Sequence, residues 1–189
     1  MTERKKYVFD TSSLSHAFED FTHSLGSVIR LCIEKGIPPE KCEVPRYIRN
    51  RAKSTGDTRR ILTECVTQVC LAPTRIVDEL SKNPQFRDEI DLLFYGRDRE
   101  LAQRYKVSAR GYMLPKMSEI PVPHSMVLKM REHAVRILGV KDARKVSDQD
   151  LSAIALAMME NATLVTADWR MHKIAKELGI DVVYTMGME

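Results

Sequence analysis

The amino-acid sequence predicts an α/β fold with parallel strands, and two stretches of the chain carry that prediction. Residues 150–184 show a helical apolar spacing, then a β-branched run, a second helical spacing and a final apolar run. The last three of these elements form a βαβ unit, in which the two strands are parallel. Near the other end of the sequence, residues 6–9 predict a first strand that ends directly before Asp10.

The first strand is followed by residues 10–13, which are rich in hydroxyl groups and predict a turn. Side chains in such a turn can hold a metal-bound water or cap the next helix. Residues 27–35 have a helical spacing of apolar side chains and are followed by Gly36, so a core-packed helix is expected to end there. The four cysteines have no CxxC spacing, which favours reduced, partly buried thiols.

Residues 45–60 form the most basic segment of the chain and contain a single acid, Asp57. Within the segment, residues 54–56 predict a loop, and Asp57 is expected to cap the helix that follows. A basic segment of this kind favours a polyanionic partner, and a solvated surface loop is the alternative interpretation. Its cations are Arg46, Arg49, Arg51, Lys53, Arg59 and Arg60.

A second strand is predicted at residues 69–72, and Pro73 stands where the next helix begins. The apolar side chains of that helix recur at helical spacing and are expected to be buried: Ile76, Val77 and Leu80. Glu79 lies on the same helix, where its carboxylate can face back over the end of the strand. This helix therefore brings a second acid to the strand ends.

The middle of the chain predicts surface structure. Residues 86–106 are highly charged and predict one or two surface helices, and residues 110–123 predict an irregular loop that can contain a short strand at 118–122. Ser125 is expected to cap the next helix and Gly139 to end it.

The C-terminal region predicts a helix, a strand, a helix and a strand. Asp150 opens the first helix, and residues 162–166 predict the strand that follows it. Asp168 comes shortly after that strand, Gly179 ends the second helix, and residues 181–184 predict the final strand. The side chains on the predicted buried face of the first helix are Leu151, Ile154, Ala155, Met158 and Met159.

Length and composition predict one globular domain. The chain has 189 residues, of which 43% are apolar and 30% charged, and a net charge of +4 that permits a nucleic-acid partner without requiring one. Neither a signal peptide nor a membrane span is expected, which predicts a cytoplasmic protein. The five histidines lack metal-ligand spacing. Trp169 is expected to pack beneath the acids.

Four acids from distant parts of the chain fall at predicted strand ends or helix starts: Asp10, Glu79, Asp150 and Asp168. In open parallel sheets, reactive groups collect outside the carboxyl ends of the strands. Carboxylates are hard ligands that suit Mg²⁺ or Mn²⁺, and several held together repel one another unless a cation neutralises them. Each acid alone could be a helix cap or a solvated side chain, but their shared placement favours a metal site.

The segments YVFDTSSL, APTRIVDEL, SDQDLSAIALA and ATLVTADWRMHKIAKELGI, in this order, resemble the PIN-domain family of metal-dependent ribonucleases. The resemblance implies a three-layer α/β/α sandwich with a central, mostly parallel sheet of four or five strands. It also implies that Asp10, Glu79, Asp150 and Asp168 bind the metal, with Asp148 as an alternative ligand. The hydroxyls of Thr11, Ser12 and Thr166 would assist them.

The chain is longer than a minimal PIN domain. Within one domain spanning residues 1–189, a helical and basic insertion is expected at about 15–68 and a charged helical segment at about 86–146. The run SEIPVPHSMVLKMREHAVRIL more weakly resembles the branch of Aquifex-type protein-only ribonuclease P and RNA ligase partner proteins. That branch implies transfer-RNA processing, but its long helical protrusion is replaced here by residues 139–147 alone, so the role of the protrusion is not carried over.

The activity implied is metal-assisted hydrolysis of RNA phosphodiester bonds, with single-stranded or structured RNA as substrate. The basic segment at residues 45–60 is the candidate RNA-binding surface, because a cleft lined by acids needs flanking cations to hold a polyanion. The family also implies a homodimer or higher homo-oligomer. Two alternatives are a catalytically silent module that binds RNA or protein, and the toxin half of a toxin–antitoxin pair with a small protein partner.

Overall fold

The structure, a computed structural model, describes residues 4–19, 21–95 and 116–186. It confirms an α/β fold around one sheet of five parallel strands in the order β3-β2-β1-β4-β5. In chain order the strands are β1 (Lys6–Phe9), β2 (Val69–Pro73), β3 (Met117–Ile120), β4 (Thr163–Thr166) and β5 (Val182–Tyr184). Because Val8 of β1 pairs with both Leu71 and Leu164, β1 lies at the centre of the sheet.

Helices connect every pair of successive strands. In the first half of the chain they are α1 (Thr11–Phe18), α2 (Phe21–Glu34), α3 (Arg46–Glu64), α4 (Thr74–Ser81) and α5 (Arg87–Ile90), which continues into a π-helical turn at Asp91–Tyr95. A short 3₁₀ turn, Pro39–Lys41, lies between α2 and α3. In the second half they are α6 (His124–Leu138), α7 (Val140–Ala143), α8 (Asp148–Glu160) and α9 (Trp169–Glu177).

The strand order makes the fold a three-layer sandwich. The chain moves from β1 to β2 and β3 in one direction along the sheet, and then to β4 and β5 in the other. Right-handed crossovers therefore cover both faces. The direction reverses between β1 and β4, where sheets of this kind bind ligands beyond the carboxyl ends of the strands.

The core is centred on β1 and α8. Val8, Phe9 and Leu164 are fully buried, and so is every α8 residue from 151 to 156. The prediction that Met158 and Met159 share this buried face is wrong, because they are 38% and 46% exposed. The sheet packs against α8 on one side, and α6 packs against α8 as well. More than one face of α8 is therefore buried, and the apolar spacing does not identify a single buried face.

The predicted loop at residues 54–56 and the predicted cap at Asp57 are both wrong, because α3 is one continuous helix through them. Ser54 and Thr55 are fully buried, and the Thr55 hydroxyl donates to the backbone oxygen of His16 at 2.6 Å. Asp57 lies inside the helix and pairs with Lys53. The loop was predicted because Ser, Thr and Gly are common in loops. Here the hydroxyl residues are buried in a helix and bond to α1.

Helix α2 does not pack in the core as expected. Leu31 and Ile33 are 56% and 55% exposed, because α2 packs on α3 rather than on the sheet. The helix starts earlier than predicted, at Phe21, and ends at Glu34. Gly36 follows with a φ of +72°, a backbone conformation that glycine adopts without strain.

Three local predictions need smaller corrections. Residues 11–13 are the first turn of α1, not a separate turn. Ser125 lies inside α6, whose N-cap is Pro123 and has no side-chain hydrogen bond. The strand predicted at 118–122 is Met117–Ile120.

The predictions for residues 96–106 and 110–115 lie outside the described residues. Within the described ranges, every helix is too short or too polar to cross a membrane.

The prediction of reduced cysteines is wrong, because the structure pairs all four. Cys32 bonds to Cys42 and Cys65 bonds to Cys70. The first pair joins α2 to the segment before α3, and the second joins the residue after α3 to β2. The paired cysteines are 10 and 5 residues apart in the chain. Whether two cysteines at such spacings can meet depends on the path of the backbone between them, which the spacing does not give. Structural disulfides are uncommon in reducing compartments.

Replacing Cys32 and Cys42 with serine is expected to lower the free energy of unfolding by about 2–3 kcal/mol, because the open loop regains entropy in the unfolded chain. Urea unfolding of the oxidised protein and of the double variant measures the difference. Titration of free thiols in the denatured, unreduced protein gives none if both disulfides form. Four free thiols before reduction would contradict the structure and restore the predicted reduced state.

Candidate carboxylate site

Asp10 is a fully buried carboxylate at the carboxyl end of β1. It caps α1, since its Oδ1 accepts the backbone N–H of Ser13 at 2.8 Å. The hydroxyls of Ser12 and Thr166 donate to its Oδ2 at 2.9 and 2.5 Å. Two of the three predicted assisting hydroxyls therefore contact this acid directly.

The same two hydroxyls join β1 to β4. Ser12 Oγ accepts the N–H of Ala167 at 3.0 Å, and Thr166 Oγ1 accepts the N–H of Asp168 at 3.0 Å. Asp10 and Asp168 are thus tied to one another through Thr166. This arrangement spans the point where the strand order reverses.

Asp168 caps α9, and its Oδ1 accepts the backbone N–H of Arg170 at 2.8 Å. The Nη1 atom of Arg170 lies 3.4 Å from both carboxylate oxygens. The carboxylate is therefore engaged by its own helix and by a neighbouring cation.

Asp150 lies in the first turn of α8, as predicted. The Ser147 hydroxyl donates to Asp150 Oδ2 at 2.7 Å and accepts the Asp150 backbone N–H at 3.1 Å. Ser147 thus both caps the helix and fixes the carboxylate.

Glu79 is exposed on α4. The third predicted assisting hydroxyl, that of Thr11, donates to Glu79 Oε2 at 3.2 Å. This bond connects the helix after β2 to the helix after β1, so Glu79 also belongs to the carboxyl edge of the sheet.

The four acids influence one another electrostatically. Burial raises the pKa of Asp10 to about 7, and the charge of Asp150 adds to that shift against hydrogen bonds from Thr166 and Ser13. Burial also raises the pKa of Asp150, hydrogen bonds from Ser147 oppose the shift, and the charges of Asp168 and Glu79 increase it. Asp150 is therefore the neighbour that all the other acids share.

Asp148, the alternative ligand, is held in an ion pair. Arg131 Nη2 lies 2.6 Å from Asp148 Oδ1, and Arg131 Nη1 also donates to the backbone oxygens of Ala143 and Val146. Asp148 would have to leave this pair to bind a metal, whereas Asp150 would not.

The donor chemistry of the site fits a hard divalent cation, because it consists of carboxylate and hydroxyl oxygens. The carboxylates repel one another when they are charged, and a cation would relieve that repulsion. The ligand geometry is not formed, however. In the described part of the chain, no group of three or more His, Cys, Asp and Glu side chains is arranged to hold a metal ion. Arg170 lies against both carboxylate oxygens of Asp168, so binding of a metal by Asp168 requires this side chain to turn.

Arg170 is not among the predicted site residues, and the predicted position of Trp169 is wrong. Trp169 does not pack beneath the acids, because 45% of it is exposed. The guanidinium carbon of Arg170 lies 5.2 Å from the centre of the Trp169 ring. Arg170 Nε is buried and makes no hydrogen bond to any described residue. The spacing Asp-x-Arg at the start of α9 is the signal that could have identified this cation.

A buried polar network extends from the site to α3. The hydroxyls of Ser54 and Thr185 lie 2.7 Å apart, and Thr185 also donates to the backbone oxygen of Thr166 at 3.3 Å. His16 Nδ1 lies 3.0 Å from Ser54 Oγ. Burial, with a smaller effect of the Arg51 charge, lowers the pKa of His16 to about 4, so His16 is a neutral partner in this network.

Replacing Ser54 with alanine is expected to lower the free energy of unfolding by about 1–3 kcal/mol, because buried partners of its hydroxyl lose a hydrogen bond. Urea unfolding measures the difference. Ser125→Ala is the matched control, since Ser125 is exposed and caps no helix. Equal effects of the two substitutions would show that the network contributes nothing specific.

The predicted RNA-binding cations lie along α3, and several are paired within the protein. Three form exposed ion pairs: Arg51 with Glu19, Lys53 with Asp57, and Arg60 with Glu64. Two donate to backbone oxygens, Arg49 to that of Val44 and Arg59 to that of Ala17. Exposed pairs of this kind are weak and exchange readily for a phosphate. Arg46 is also exposed.

A scan against models of known protein families finds none that matches this chain, and a search of curated proteins finds no significant match. The resemblance to the PIN-domain family therefore stays a prediction from the sequence.

Proposed function

We propose that this protein is a metal-dependent endoribonuclease that hydrolyses RNA phosphodiester bonds during RNA processing. One observation carries the proposal: the Thr166 hydroxyl bonds to Asp10 and to the backbone N–H of Asp168, Glu79 accepts from Thr11, and the charge of Asp150 adds to the burial that raises the pKa of Asp10. Four carboxylates from separate elements thus come together where open parallel sheets bind ligands. Mutual repulsion of this kind costs stability unless a cation relieves it.

Asp10, Asp150 and Asp168 would hold Mg²⁺ or Mn²⁺, with Glu79 as a further ligand or as the group that orients water. A bound divalent ion lowers the pKa of its water and neutralises charge that develops on the phosphate. The protein supplies positioning. Ser12 and Thr166 fix the Asp10 carboxylate, and Ser147 fixes that of Asp150.

RNA would approach across α3. Ser54, in the middle of that helix, contacts Thr185, which directly follows β5 at the carboxyl edge of the sheet. The middle of α3, which carries exposed cations, therefore lies near the same edge of the sheet as the acids. Binding by such cations falls steeply with salt, because it depends on release of counterions from the phosphates. Tyr47, which is 64% exposed on the same helix, adds a surface for stacking.

The alternative favoured by a specific observation is a silent module that binds RNA without cutting it. Arg170 lies against Asp168 and partly neutralises it, and the described acids are not arranged as a metal site. An internal cation in the place of a metal would keep the fold and remove the chemistry. The homo-oligomer, and the toxin silenced by a small protein partner, stay predictions from the resemblance.

Incubation of end-labelled RNA with the purified protein separates the two functions. Cleavage is expected with Mn²⁺ or Mg²⁺, to stop with a chelator, and to be lost in Asp150→Asn. Asp181→Asn is the matched control, since Asp181 immediately precedes β5 and so lies at the opposite edge of the sheet. Binding of RNA without metal-dependent cleavage would support the silent module instead.

A further inference from the structure

The exposed indole of Trp169 lies beside the carboxylate site and has no role in the core. Trp169 is the first residue of α9 and directly follows Asp168, which caps that helix. Trp169 is 45% exposed. Because it is next to Asp168, its ring is accessible to a ligand that reaches the carboxylates.

We propose that Trp169, supported by Arg170, stacks on an unpaired base of the RNA next to the phosphate that is cleaved. This inference rests on the proposed function, because the base is defined by its place beside the cut. It assigns a substrate-reading role to two residues on the β4 and β5 side of the acids. The substrate must then be single-stranded at that point.

The geometry of Arg170 links the ring to the acids. Its guanidinium lies 5.2 Å from the centre of the Trp169 ring and its Nη1 lies 3.4 Å from the Asp168 carboxylate. One guanidinium thus contacts the indole on one side and the candidate site on the other. A base on the open part of the ring would therefore stack within one residue of the Asp168 carboxylate.

Arg170 is only weakly bound to Asp168. Its only ion pair within the described residues, with that carboxylate, is long at 3.4 Å. Short charge-assisted bonds to a carboxylate are normally about 2.7–2.9 Å. If Asp168 turned to a cation, Arg170 would be released to a phosphate oxygen.

The surroundings hold α9 in place. His172, one turn after Trp169, stacks on Tyr184 of β5 with ring centres 5.0 Å apart and an interplanar angle of 22°. This contact fixes the first turn of the helix against the edge strand. The Trp169 ring is therefore presented from a rigid support, which reduces the entropy lost on stacking.

A nucleobase suits this surface better than another ligand. Every base has a π-face, so stacking on tryptophan tolerates any sequence, and a neighbouring arginine adds a cation–π contribution and a phosphate contact. A protein partner that covers Trp169 would need neither the phosphate nor the base. The test therefore compares an oligonucleotide that carries bases with one that lacks them.

Trp169 is the only tryptophan in the chain, so its fluorescence reports this contact alone. The Asp10→Asn variant, which should not cleave, is titrated with a single-stranded oligoadenylate and with an abasic oligomer of the same number of phosphates. Quenching is expected with the first and not with the second. Equal responses, or no response to either, would overturn the proposal.

Affinity for dye-labelled oligoadenylate is then measured by anisotropy in the same Asp10→Asn background. Trp169→Ala is expected to weaken binding about tenfold and Trp169→Phe much less, because the phenyl ring still stacks. Leu128→Ala, at another exposed apolar residue on α6, is the control and should have no effect. Unchanged affinity in Trp169→Ala overturns the proposal.

The two proposals fail separately. If wild-type protein cleaves RNA with Mn²⁺ but Trp169 fluorescence does not respond to bases, the stacking role is wrong and the nuclease stands. If oligoadenylate quenches the fluorescence and no RNA is cleaved, Trp169 still binds a base, but the nuclease and any place beside a cut are wrong.

Discussion

Replacing Asp10 with asparagine is expected to abolish RNA cleavage and, in the absence of metal, to stabilise the protein above neutral pH. A candidate ligand is lost, so activity should fall by at least about 100-fold, the effect of disturbing even the partners of metal ligands. The gain in stability follows from the charge that asparagine lacks. Loss and gain from one substitution distinguish a functional carboxylate from a structural one.

The sign of the stability change follows from the pKa of Asp10. It is 3.8 in the ordinary state and about 7 in the folded protein, so the folded state holds a proton that the unfolded state has lost. Wild-type stability therefore falls as the pH rises between these two values and stays low above about 7. Asparagine removes this penalty, which is roughly 2–4 kcal/mol at pH 8.

Urea unfolding of both proteins in chelator, at pH 5 and at pH 8, measures the effect. The variant should gain most at pH 8 and less than half as much at pH 5, because the penalty begins where the unfolded carboxyl ionises, near pH 3.8, and grows until the folded carboxyl ionises, near pH 7. Asp181→Asn is again the control for loss of one negative charge. A variant less stable than wild type at pH 8 would show that the charged Asp10 carboxylate stabilises the fold even without a bound cation.

Binding of Mn²⁺ is expected to raise the melting temperature strongly at pH 8 and weakly at pH 5.5. A ligand at 100 times its Kd adds about 2.7 kcal/mol, which for a chain of this size raises Tm by about 5–10 °C. At pH 5.5 the buried Asp10 carboxyl, with a pKa of about 7, is protonated and must lose its proton before it can bind the ion.

Thermal scans with Mn²⁺ and with chelator at the two pH values check this. Asp10→Asn and Asp150→Asn should remove the increase at pH 8. An increase of the same size at both pH values, or one that survives in both variants, would place the ion elsewhere on the protein.

The sequence predicts this fold well where short-range patterns coincide with the sheet. Four of the five strands were predicted, since each is short, apolar and bounded by turn residues, and the parallel arrangement followed from one βαβ unit. The fifth, β3, contains Ser118 and Glu119, so its pattern predicted only a loop that can contain a short strand. Asp10 and Asp168 were placed correctly because each lies within two residues of a strand end and caps a helix. The strand order, and hence the central position of β1, depends on long-range pairing that no local pattern records.

The failures have a common physical cause, which is that exposure depends on neighbours distant in sequence. Ser54 and Thr55 are buried because α1 and Thr185 bond to them. Leu31 is exposed because nothing among the described residues covers that side of α2. Trp169 is apolar but exposed beside the acids. Composition gives the chemistry of such residues, whereas the tertiary fold decides which side of them meets water.

The position of β1 also affects when the site can form during synthesis. β1 leaves the ribosome before the other four strands of the sheet, yet Tyr7, Val8 and Phe9 pair with Thr163, Leu164 and Val165 on one side. Until β4 has been translated, Asp10 lacks the Thr166 hydroxyl that fixes it, and Asp168 does not yet exist. A nascent chain therefore cannot carry an assembled carboxylate cluster until β4 and the start of the helix after it have been translated.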